Sequence, residues 1–579
     1  MKQLMLGNEA VARGLYEAGC RFLSSYPGTP STEISEAAAK YDEIYAEWAP
    51  NEKVAMEAAI GASIGGARSF CAMKHVGLNV AADPLFTVSY TGVNAGMVIA
   101  VADDPGMHSS QNEQDSRHHA IASKIPMLEP SDSAECLEFT KLAYDLSEKF
   151  DTPVLLRTAT RVAHSQSLVQ LNERVDKGLL PYEKNPAKYV MMPGNAIRRH
   201  PFVEERMEAA REWSETSGIN RVELGEDRSV GYITSGVCYQ YLREGAPDAS
   251  ILKIGMTNPL PVKLIRDFAA KVGKLIVVEE LDPIIENHVR ALGIKVDGGK
   301  DLFGLLGELS QNKILKALGK ATPDAVDFGE AVPPRPPILC PGCPHRGIFY
   351  TLSKLGVFVS GDIGCYTLGA LAPLNALDTT VCMGASISGL HGFNTARGPE
   401  SAKKSVAVIG DSTFMHSGIT GLVNIIYNEG ESTVIILDNS ITGMTGHQEN
   451  PTTGKNLKGQ PAPAISLEKL CEAVGVKNVR VCDPYAMAEM KAVIQEELEK
   501  SEPSVIISRR PCVLLPGVKT APALKIDKEK CKSCRLCMTI GCPAISFIDK
   551  KAQIDGTLCV GCDLCVQMCS FGAIGGNEK

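Results

Sequence analysis

Residues 405–439 read SVAVIGDSTFMHSGITGLVNIIYNEGESTVIILDN and contain two apolar strands separated by one helix-length segment. The first strand ends at Gly410 and Asp411, and the second ends at Asn439. The 28 residues from Asp411 to Asn439 leave room for one crossover helix, so we expect the two strands to be parallel neighbours. This β–α–β unit predicts a doubly wound parallel α/β fold.

The same alternation of strands and helices recurs along most of the chain and predicts a multidomain α/β protein. A proline-rich segment, AVPPRPPILCP, is typical of a domain boundary. We expect a doubly wound domain at 1–165, a charged connecting insertion at 166–227, a smaller α/β domain at 228–330, a third α/β domain at 336–515 and a cysteine-rich domain at 522–579.

Composition narrows the functional class. The net charge of −8 is spread without long runs, which argues against a nucleic-acid surface. The N-terminus has acidic residues where a secretory signal would be apolar, and no apolar run approaches the length needed to span a membrane. Nineteen cysteines in such a chain favour a reducing compartment, and we expect the cytoplasm.

Eight cysteines near the C-terminus form two copies of one pattern, C-x2-C-x2-C followed by a fourth cysteine. The copies are Cys531, Cys534, Cys537 and Cys542, and Cys559, Cys562, Cys565 and Cys569. Such a triplet binds three corners of a [4Fe–4S] cluster, and the remote cysteine usually ligates the other cluster. We therefore predict that Cys569 completes the first set and Cys542 the second, in a ferredoxin-like α+β domain. Zinc sites use paired C-x2-C units instead, and zinc or disulfides are disfavoured.

Asp411 and Asn439 are candidate metal ligands, because both follow strands whose carboxyl ends should lie side by side. Their oxygen atoms, with the backbone carbonyl of Ile441, suit Mg²⁺. Gly410 would let the backbone approach a diphosphate closely. Taken alone this motif is weak, since such residues are more often turn or cap residues.

The chain resembles the 2-oxoacid:ferredoxin oxidoreductase superfamily and, within it, the indolepyruvate ferredoxin oxidoreductase alpha subunits. The resemblance covers essentially the whole chain. The motifs that carry it are YPGTPSTE at 26–33, NEKVAMEAAIGAS at 51–63, CPGCPHRG at 340–347, GDIGCYTLG at 361–369, GDSTFMHSGITG at 410–421 and DNSITGMTGHQ at 438–448. It implies the domain order pyrimidine-binding, transketolase-C-like, diphosphate-binding and ferredoxin. Ser412 departs from the wider thiamin-enzyme pattern, in which a second glycine is usual.

The resemblance assigns roles to several residues. Glu52 would hydrogen-bond the aminopyrimidine of thiamin diphosphate as the catalytic glutamate, with Glu57 as a weaker candidate. Thr29 would contact the substrate or the cofactor. The alternatives are that Glu52 is a favourable acid in the first turn of a helix, and that Thr29 or Ser31 caps one. The implied cofactor-binding residues are Gly410, Asp411, Ser412, Asn439, Ile441, Thr442 and His345.

Four more cysteines match a cluster next to thiamin in some members of the superfamily: Cys340, Cys343, Cys365 and Cys512. A third [4Fe–4S] cluster would relay electrons to the C-terminal domain. In the alternative interpretation they are turn residues and small buried apolar side chains. The sequence leaves both interpretations open.

The resemblance implies oxidative decarboxylation of an arylpyruvate such as indole-3-pyruvate, with coenzyme A as acyl acceptor and ferredoxin as electron acceptor. The cofactors would be thiamin diphosphate, Mg²⁺ and two or three [4Fe–4S] clusters. No segment resembles the superfamily's gamma-type domain, so we expect a smaller beta subunit in a heterodimer or an α2β2 complex. The alternatives are a different 2-oxoacid substrate, or an electron-transfer subunit whose α/β domains serve as a scaffold.

Overall fold

The computed structural model describes residues 1–323, 329, 332, 333 and 335–575, and the chain forms two compact units, Met1–Gly329 and Glu330–Lys579. The predicted domain ends at 330 and 579 lie outside the described residues. The described chain contains no helix with the length and apolar character needed to cross a membrane.

The first unit contains thirteen strands among its described residues: β1 (Lys2–Leu6), β2 (Phe22–Ser25), β3 (Tyr45–Trp48), β4 (Ser69–Lys74), β5 (Met97–Asp103), β6 (Met127–Leu128), β7 (Val154–Ala159), β8 (Gln166–Gln170), β9 (Arg221–Glu223), β10 (Val230–Ser235), β11 (Ser250–Ile254), β12 (Met256–Asn258) and β13 (Lys274–Val278). Its helices in the same described part are α1 (Gly7–Glu17), α2 (Thr32–Ala38), α3 (Glu52–Ile64), α4 (His75–Val80), α5 (Ala82–Thr91), α6 (Arg117–Ser123), α7 (Ser133–Phe150), α8 (Thr160–His164), α9 (Pro186–Tyr189), α10 (Pro193–Thr216), α11 (Gly236–Gly245), α12 (Val262–Ala269), α13 (Ile284–Ala291), α14 (Lys300–Phe303) and α15 (Gln311–Ala317).

Two larger sheets organise this unit. The seven-stranded sheet has the order β12-β6-β7-β5-β4-β2-β3, and its strands are parallel except at the β12 edge. The four-stranded sheet has the order β13-β10-β11-β9, with β9 antiparallel. All seven residues of β5 are buried, as expected for a parallel strand covered on both faces. A segment of the predicted 228–330 domain, β12, thus extends the first sheet.

The second unit contains ten described strands: β14 (Phe358–Gly361), β15 (Thr379–Thr380), β16 (Ser405–Gly410), β17 (Thr433–Asp438), β18 (Asn478–Cys482), β19 (Ser504–Arg509), β20 (Lys525–Ile526), β21 (Ile545–Ile548), β22 (Lys551–Ile554) and β23 (Ile574–Gly575). Its described α-helices are α16 (His345–Leu355), α17 (Ala385–Arg397), α18 (Pro399–Ala402), α19 (Asp411–Thr413), α20 (Ile419–Tyr427), α21 (Leu467–Val474), α22 (Met487–Leu498) and α23 (Leu564–Gln567). A π-helical turn, Phe414–Gly418, joins α19 to α20, and Cys365–Ala370 and Leu536–Ile540 are 3-10 helices.

A six-stranded parallel sheet forms the centre of this unit, with the order β15-β14-β16-β17-β19-β18. Every residue of β16 and β17 is buried. The chain order reverses between β14 and β16, and open parallel sheets bind ligands at such a point, outside the carboxyl ends of the strands. The α/β prediction is therefore confirmed, and it directs attention to the residues that follow β14, β16 and β17.

The C-terminal domain of the second unit is small and consists of two short antiparallel ribbons, β20-β23 and β21-β22. Its apolar core includes cysteines of both repeats. Tyr350, Tyr485 and Met487 of the preceding domain pack into the same core, so the two parts of this unit share buried surface.

Candidate thiamin and iron–sulfur sites

Three oxygen-bearing groups converge at the carboxyl ends of β16 and β17. One amide atom of Asn439 lies 2.8 Å from the carbonyl oxygen of Ile441 and 3.2 Å from Oδ1 of Asp411. With the amide nitrogen at that position, Asn439 hydrogen-bonds both oxygens; with the amide turned, three oxygens face one another. Neighbouring ligands of an octahedral Mg²⁺ lie about 2.9 Å apart, given Mg–O bonds of about 2.0–2.1 Å. These residues therefore fit a magnesium ion.

Asp411 is held by residues that the sequence analysis missed. Asn450 Nδ2 and Thr452 Oγ1 donate to its Oδ2 at 3.2 and 3.3 Å. Burial raises the pKa of Asp411 to about 7, and the nearby carboxylate of Asp438 acts in the same direction, while Asn450 and Thr452 oppose the shift. A bound cation would favour the ionised carboxylate here. The polar run NPTTG at 450–454 was the available sequence signal.

Other predicted cofactor-binding residues surround this point. Thr442 Oγ1 donates to Ser412 Oγ at 2.9 Å, which joins the loop after β17 to the start of α19. Gly410 is required for close packing, because a Cβ atom there would lie 2.7 Å from the ring of Tyr366. His345, buried at the start of α16, meets the same ring edge-on with centroids 5.9 Å apart. Burial lowers the pKa of His345 to about 4, so it is neutral at pH 7.

Cys340, Cys343, Cys365 and Cys512 lie close enough to one another in the structure to influence each other's pKa. Burial raises the pKa of Cys343 to about 12, and the thiols of Cys340 and Cys365 add to that shift. Burial also raises the pKa of Cys365 to about 11, with contributions from Cys512 and Cys340. We call these four residues the loop cysteines. They adjoin the oxygen atoms of Asp411, Asn439 and Ile441, which we call the oxygen cluster, because the Cys512 N–H donates to the Asn439 carbonyl at 2.9 Å.

The eight C-terminal cysteines line two separate cavities, each with cysteines from both repeats. The outer cavity is lined by Cys531, Cys534, Cys537 and Cys569. The inner cavity is lined by Cys542, Cys559, Cys562 and Cys565. The loop residues Pro341 and Gly342 also line the inner cavity, which therefore adjoins the loop cysteines.

The two cysteine loops have the same backbone shape at equivalent positions. Ser533 and Gly561, two residues after the first cysteine of each repeat, have φ of 60° and 65°. Arg535 and Asp563, two residues further on, both have φ of 62°. These left-handed residues curve each loop, so that the three cysteines of the triplet face one cavity.

The cysteine spacing suits clusters better than single ions. Among the residues that the structure describes, no three His, Cys, Asp or Glu side chains converge closely enough to hold one metal ion. Four thiols around a wider cavity fit the corners of a cubane.

In the first unit, Glu52 is buried at the start of α3, after an asparagine cap in which Asn51 Oδ1 accepts from Val54 N at 2.9 Å. Gly77 leaves room for the Glu52 carboxyl group, since a Cβ there would lie 2.5 Å from Oε1. Glu57, the weaker candidate, pairs with Lys53 at the surface. The structure thus separates a buried carboxylate from an exposed one.

Thr29 is half-buried in the turn after β2. The predicted cap by Ser31 has no side-chain hydrogen bond to α2, and its hydroxyl instead donates to the Gly28 carbonyl at 2.8 Å. Lys74, which the sequence analysis missed, ends β4 and packs its stem beside Gly28. Burial lowers the pKa of Lys74, while the carboxylates of Asp104 and Glu52 oppose that shift.

Known families match three parts of the chain. Residues 13–219 match the family described as pyruvate flavodoxin/ferredoxin oxidoreductase, thiamine diphosphate binding. Residues 362–508 match the C-terminal TPP binding domain of thiamine pyrophosphate enzymes, and residues 552–575 match a 4Fe-4S binding domain. The chain is therefore an oxidoreductase with thiamin-binding and iron–sulfur domains.

Relatives match nearly the whole chain. Indolepyruvate oxidoreductase subunit IorA of Archaeoglobus fulgidus is 40% identical over 99% of this chain and 97% of its own length. The subunit of the same name from Pyrococcus horikoshii is 41% identical over 99% and 96%. A solved 2-oxoglutarate:ferredoxin oxidoreductase from Magnetococcus marinus is 20% identical, with a TM-score of 0.47, over 55% of this chain and 65% of that chain, less than two thirds of its length.

The percentage of identical residues and the share of each chain that is matched decide the classification. Both IorA relatives are matched over nearly their whole length, and the match includes the thiamin-binding and the iron–sulfur parts of this chain. The chain belongs to the indolepyruvate oxidoreductase subunit IorA family.

Proposed function

We propose that this chain catalyses the oxidative decarboxylation of an arylpyruvate such as indole-3-pyruvate. The 2-oxoacid and coenzyme A would give an acyl-CoA, CO₂ and a proton, and two electrons would leave one at a time to ferredoxin. Bound thiamin diphosphate would supply the carbon nucleophile for this reaction, and iron–sulfur clusters would carry the electrons. The protein would supply binding, position and electrostatics.

The observation that carries the proposal is the contact between the oxygen cluster and the loop cysteines. Asp411, Asn439 and Ile441 would hold Mg²⁺ and through it the diphosphate. Cys512 hydrogen-bonds the backbone of Asn439, so an electron acceptor at the loop cysteines would adjoin the cofactor. A subunit whose α/β domains serve only as a scaffold would not need the buried Asp411 carboxylate beside the loop cysteines.

We propose three [4Fe–4S] clusters, one for each cysteine set. The loop cysteines would bind the first, the inner cavity the second and the outer cavity the third. The cross-pairing of Cys569 with the first repeat and of Cys542 with the second is supported by the lining of the two cavities. A cluster at the outer cavity would pass electrons to ferredoxin.

In the first unit, Glu52 would hydrogen-bond the aminopyrimidine ring and assist its proton transfers. Thr29 would be a substrate or cofactor contact.

Lys74 would bind the carboxylate of the 2-oxoacid. Its ammonium group donates to the Ser109 carbonyl at 2.6 Å and, with three donors, can still serve an incoming carboxylate. A Lys74→Met variant should raise KM for every 2-oxoacid alike, because all share that group; an unchanged KM would contradict the role.

A partner subunit is part of the proposal. The relatives are named as subunits, and we propose a smaller beta subunit in an αβ or α2β2 complex. The reducing cytoplasm would suit the nineteen unpaired cysteines, twelve of which lie in the three proposed cluster sets.

The test is a steady-state assay of the purified anaerobic complex with a panel of 2-oxoacids, coenzyme A and ferredoxin. Aromatic acids should give the highest kcat/KM, and omission of coenzyme A should stop turnover. Preference for pyruvate or 2-oxoglutarate would favour the alternative substrate. Pure complex that binds no thiamin diphosphate would favour the electron-transfer scaffold.

A further inference from the structure

Arg346 is a buried guanidinium whose hydrogen bonds all go to backbone carbonyls in the described structure. Its side chain is on α16 and is 2% exposed. Nε donates to the Cys340 carbonyl at 3.0 Å, and Nη2 donates to that of Leu339. Nη1 donates to the carbonyls of Gly541 at 2.6 Å and Ile540 at 3.2 Å. The group therefore joins the loop before Cys343 to the loop before Cys542.

The guanidinium lies between two cysteine sets. Arg346 lines the inner cavity together with Cys542 and Cys562. Burial lowers the pKa of Arg346, and the cysteines that oppose the shift are Cys542, Cys343, Cys340 and Cys562. Two of these belong to the loop cysteines and two to the inner cavity, whereas none lines the outer cavity.

A buried cation without an anionic partner is unfavourable, because backbone carbonyls replace only part of the lost hydration. Arginine stays charged in proteins, so proton loss does not relieve the cost. Thiolate-ligated [4Fe–4S] clusters on either side would supply the missing negative charge. The burial of the Arg346 charge is therefore explained if both neighbouring cysteine sets hold clusters.

We propose that Arg346 is a positioning residue that fixes the C-terminal domain against the loop cysteines and raises the reduction potentials of the two flanking clusters. This inference rests on the proposed function, which places those clusters. Each cluster gains one negative charge when it accepts an electron, and a nearby positive charge in a low-dielectric interior stabilises that form. Arg346 would thus make the first two acceptors after the substrate easier to reduce than they would otherwise be.

The test is an EPR-monitored redox titration of the full anaerobic complex carrying Arg346→Gln, which removes the charge but keeps an amide donor. We expect the flanking clusters to become harder to reduce by at least tenfold in the redox equilibrium constant, about 59 mV for a one-electron couple. The outer cluster should shift less. Arg346→Lys, which keeps the charge, should restore most of the wild-type potential.

Arg535→Met is the matched control. Arg535 also lines a cluster cavity, the outer one, but its side chain is exposed over the Phe547 ring, 4.3 Å from the centroid. Because solvent screens an exposed charge, its loss should change the outer potential by less than the Arg346→Gln shift.

The two Arg346 variants distinguish an effect of the positive charge from an effect of the side-chain shape. Unchanged potentials in an iron-replete Arg346→Gln complex would overturn the proposal, as would loss of the flanking clusters in both Gln and Lys variants. Loss of those clusters in Gln alone, with a wild-type potential in Lys, would support it. A wild-type complex without clusters would instead refute the proposed function before Arg346 is considered.

Discussion

At the scale of single residues, Asp411 shows how a buried carboxylate depends on its surroundings. Burial and Asp438 raise its pKa, and the donors Asn450 and Thr452 only partly offset that effect. A carboxyl group that titrates near pH 7 is a poor permanent anion. The same residue facing Asn439 across 3.2 Å becomes a good ligand once a divalent cation occupies the site.

We predict that Asp411→Ala abolishes magnesium-dependent retention of thiamin diphosphate. The variant removes the charged ligand, whereas Thr452→Val removes only one 3.3 Å hydrogen bond to it. Loss of one such bond to a charged group costs about 1.5–3 kcal/mol, so Thr452→Val should weaken retention by roughly 10–150-fold at most. Thiochrome analysis after gel filtration with and without Mg²⁺ measures both. Wild-type retention in Asp411→Ala would remove this residue from the metal site.

Glu52 gives a second prediction at this scale. Glu52→Gln should keep bound thiamin diphosphate but slow exchange of the C2 proton by about 10²–10⁴-fold, the usual contribution of an acid–base group. Glu57→Gln is the matched control, since Glu57 lies five residues further along the same helix and is paired at the surface with Lys53. Hydrogen–deuterium exchange followed by NMR distinguishes them, and equal rates in both variants would contradict the role of Glu52.

At the scale of elements, periodicity and spacing predicted the strands β16 and β17 and the crossover between them, because buried parallel strands appear as continuous apolar runs. From that spacing alone we expect Asp411 and Asn439 side by side, and their strands do pair in parallel. Asn450 and Thr452 could not be found this way, since they come from an irregular loop. The role of Arg346 could not be predicted from the sequence either, because its carbonyl partners at 540 and 541 are remote in sequence.

A buried network of charges joins the two larger sheets of the first unit. Arg117 pairs with Asp115 and with Glu279, which follows β13, both at 2.6 Å. Arg157 on β7 pairs with Glu129 at 2.7 Å. Such networks are costly to desolvate, so each member depends on its partners.

Glu280 belongs to the same region and gives a pH prediction. Burial raises its pKa to about 7, with Glu308 and Glu129 acting in the same direction, while the Leu309 N–H and Arg157 oppose the shift. The folded state therefore binds this proton more tightly than the unfolded state, whose glutamate titrates near about 4.3. The resulting stabilisation is present at low pH and is lost as pH rises through about 7, by at most about 4 kcal/mol.

Glu280→Gln should flatten this pH dependence and raise stability at about pH 8 by about 1–3 kcal/mol, because the buried group can no longer ionise. Thermal and denaturant unfolding between about pH 5 and pH 8 measure the change. The exposed Glu226→Gln should leave the wild-type profile intact. A Glu280→Gln profile parallel to that of the wild type would show that Glu280 ionises normally.

At the scale of the whole molecule, the cysteine sets of the second unit lie in a fixed order. The loop cysteines adjoin the oxygen cluster through Cys512 and Asn439. The inner cavity adjoins the loop through Pro341 and Gly342, and the outer cavity has neither residue in its lining. This order fits the electron route that we propose, in which a cluster at the loop cysteines would be the first acceptor after the cofactor.

We predict about twelve iron atoms per chain in the anaerobic complex, as three [4Fe–4S] clusters require, rather than about eight. Cys365→Ser, Cys542→Ser and Cys569→Ser should each lower that number by about four, because each removes a ligand from a different set. Cys382→Ser is the matched control, since Cys382 is exposed and outside all three sets. About eight atoms in the wild type, unchanged by Cys365→Ser, would make the loop cysteines structural, and electrons would then pass directly from the cofactor to the inner cavity.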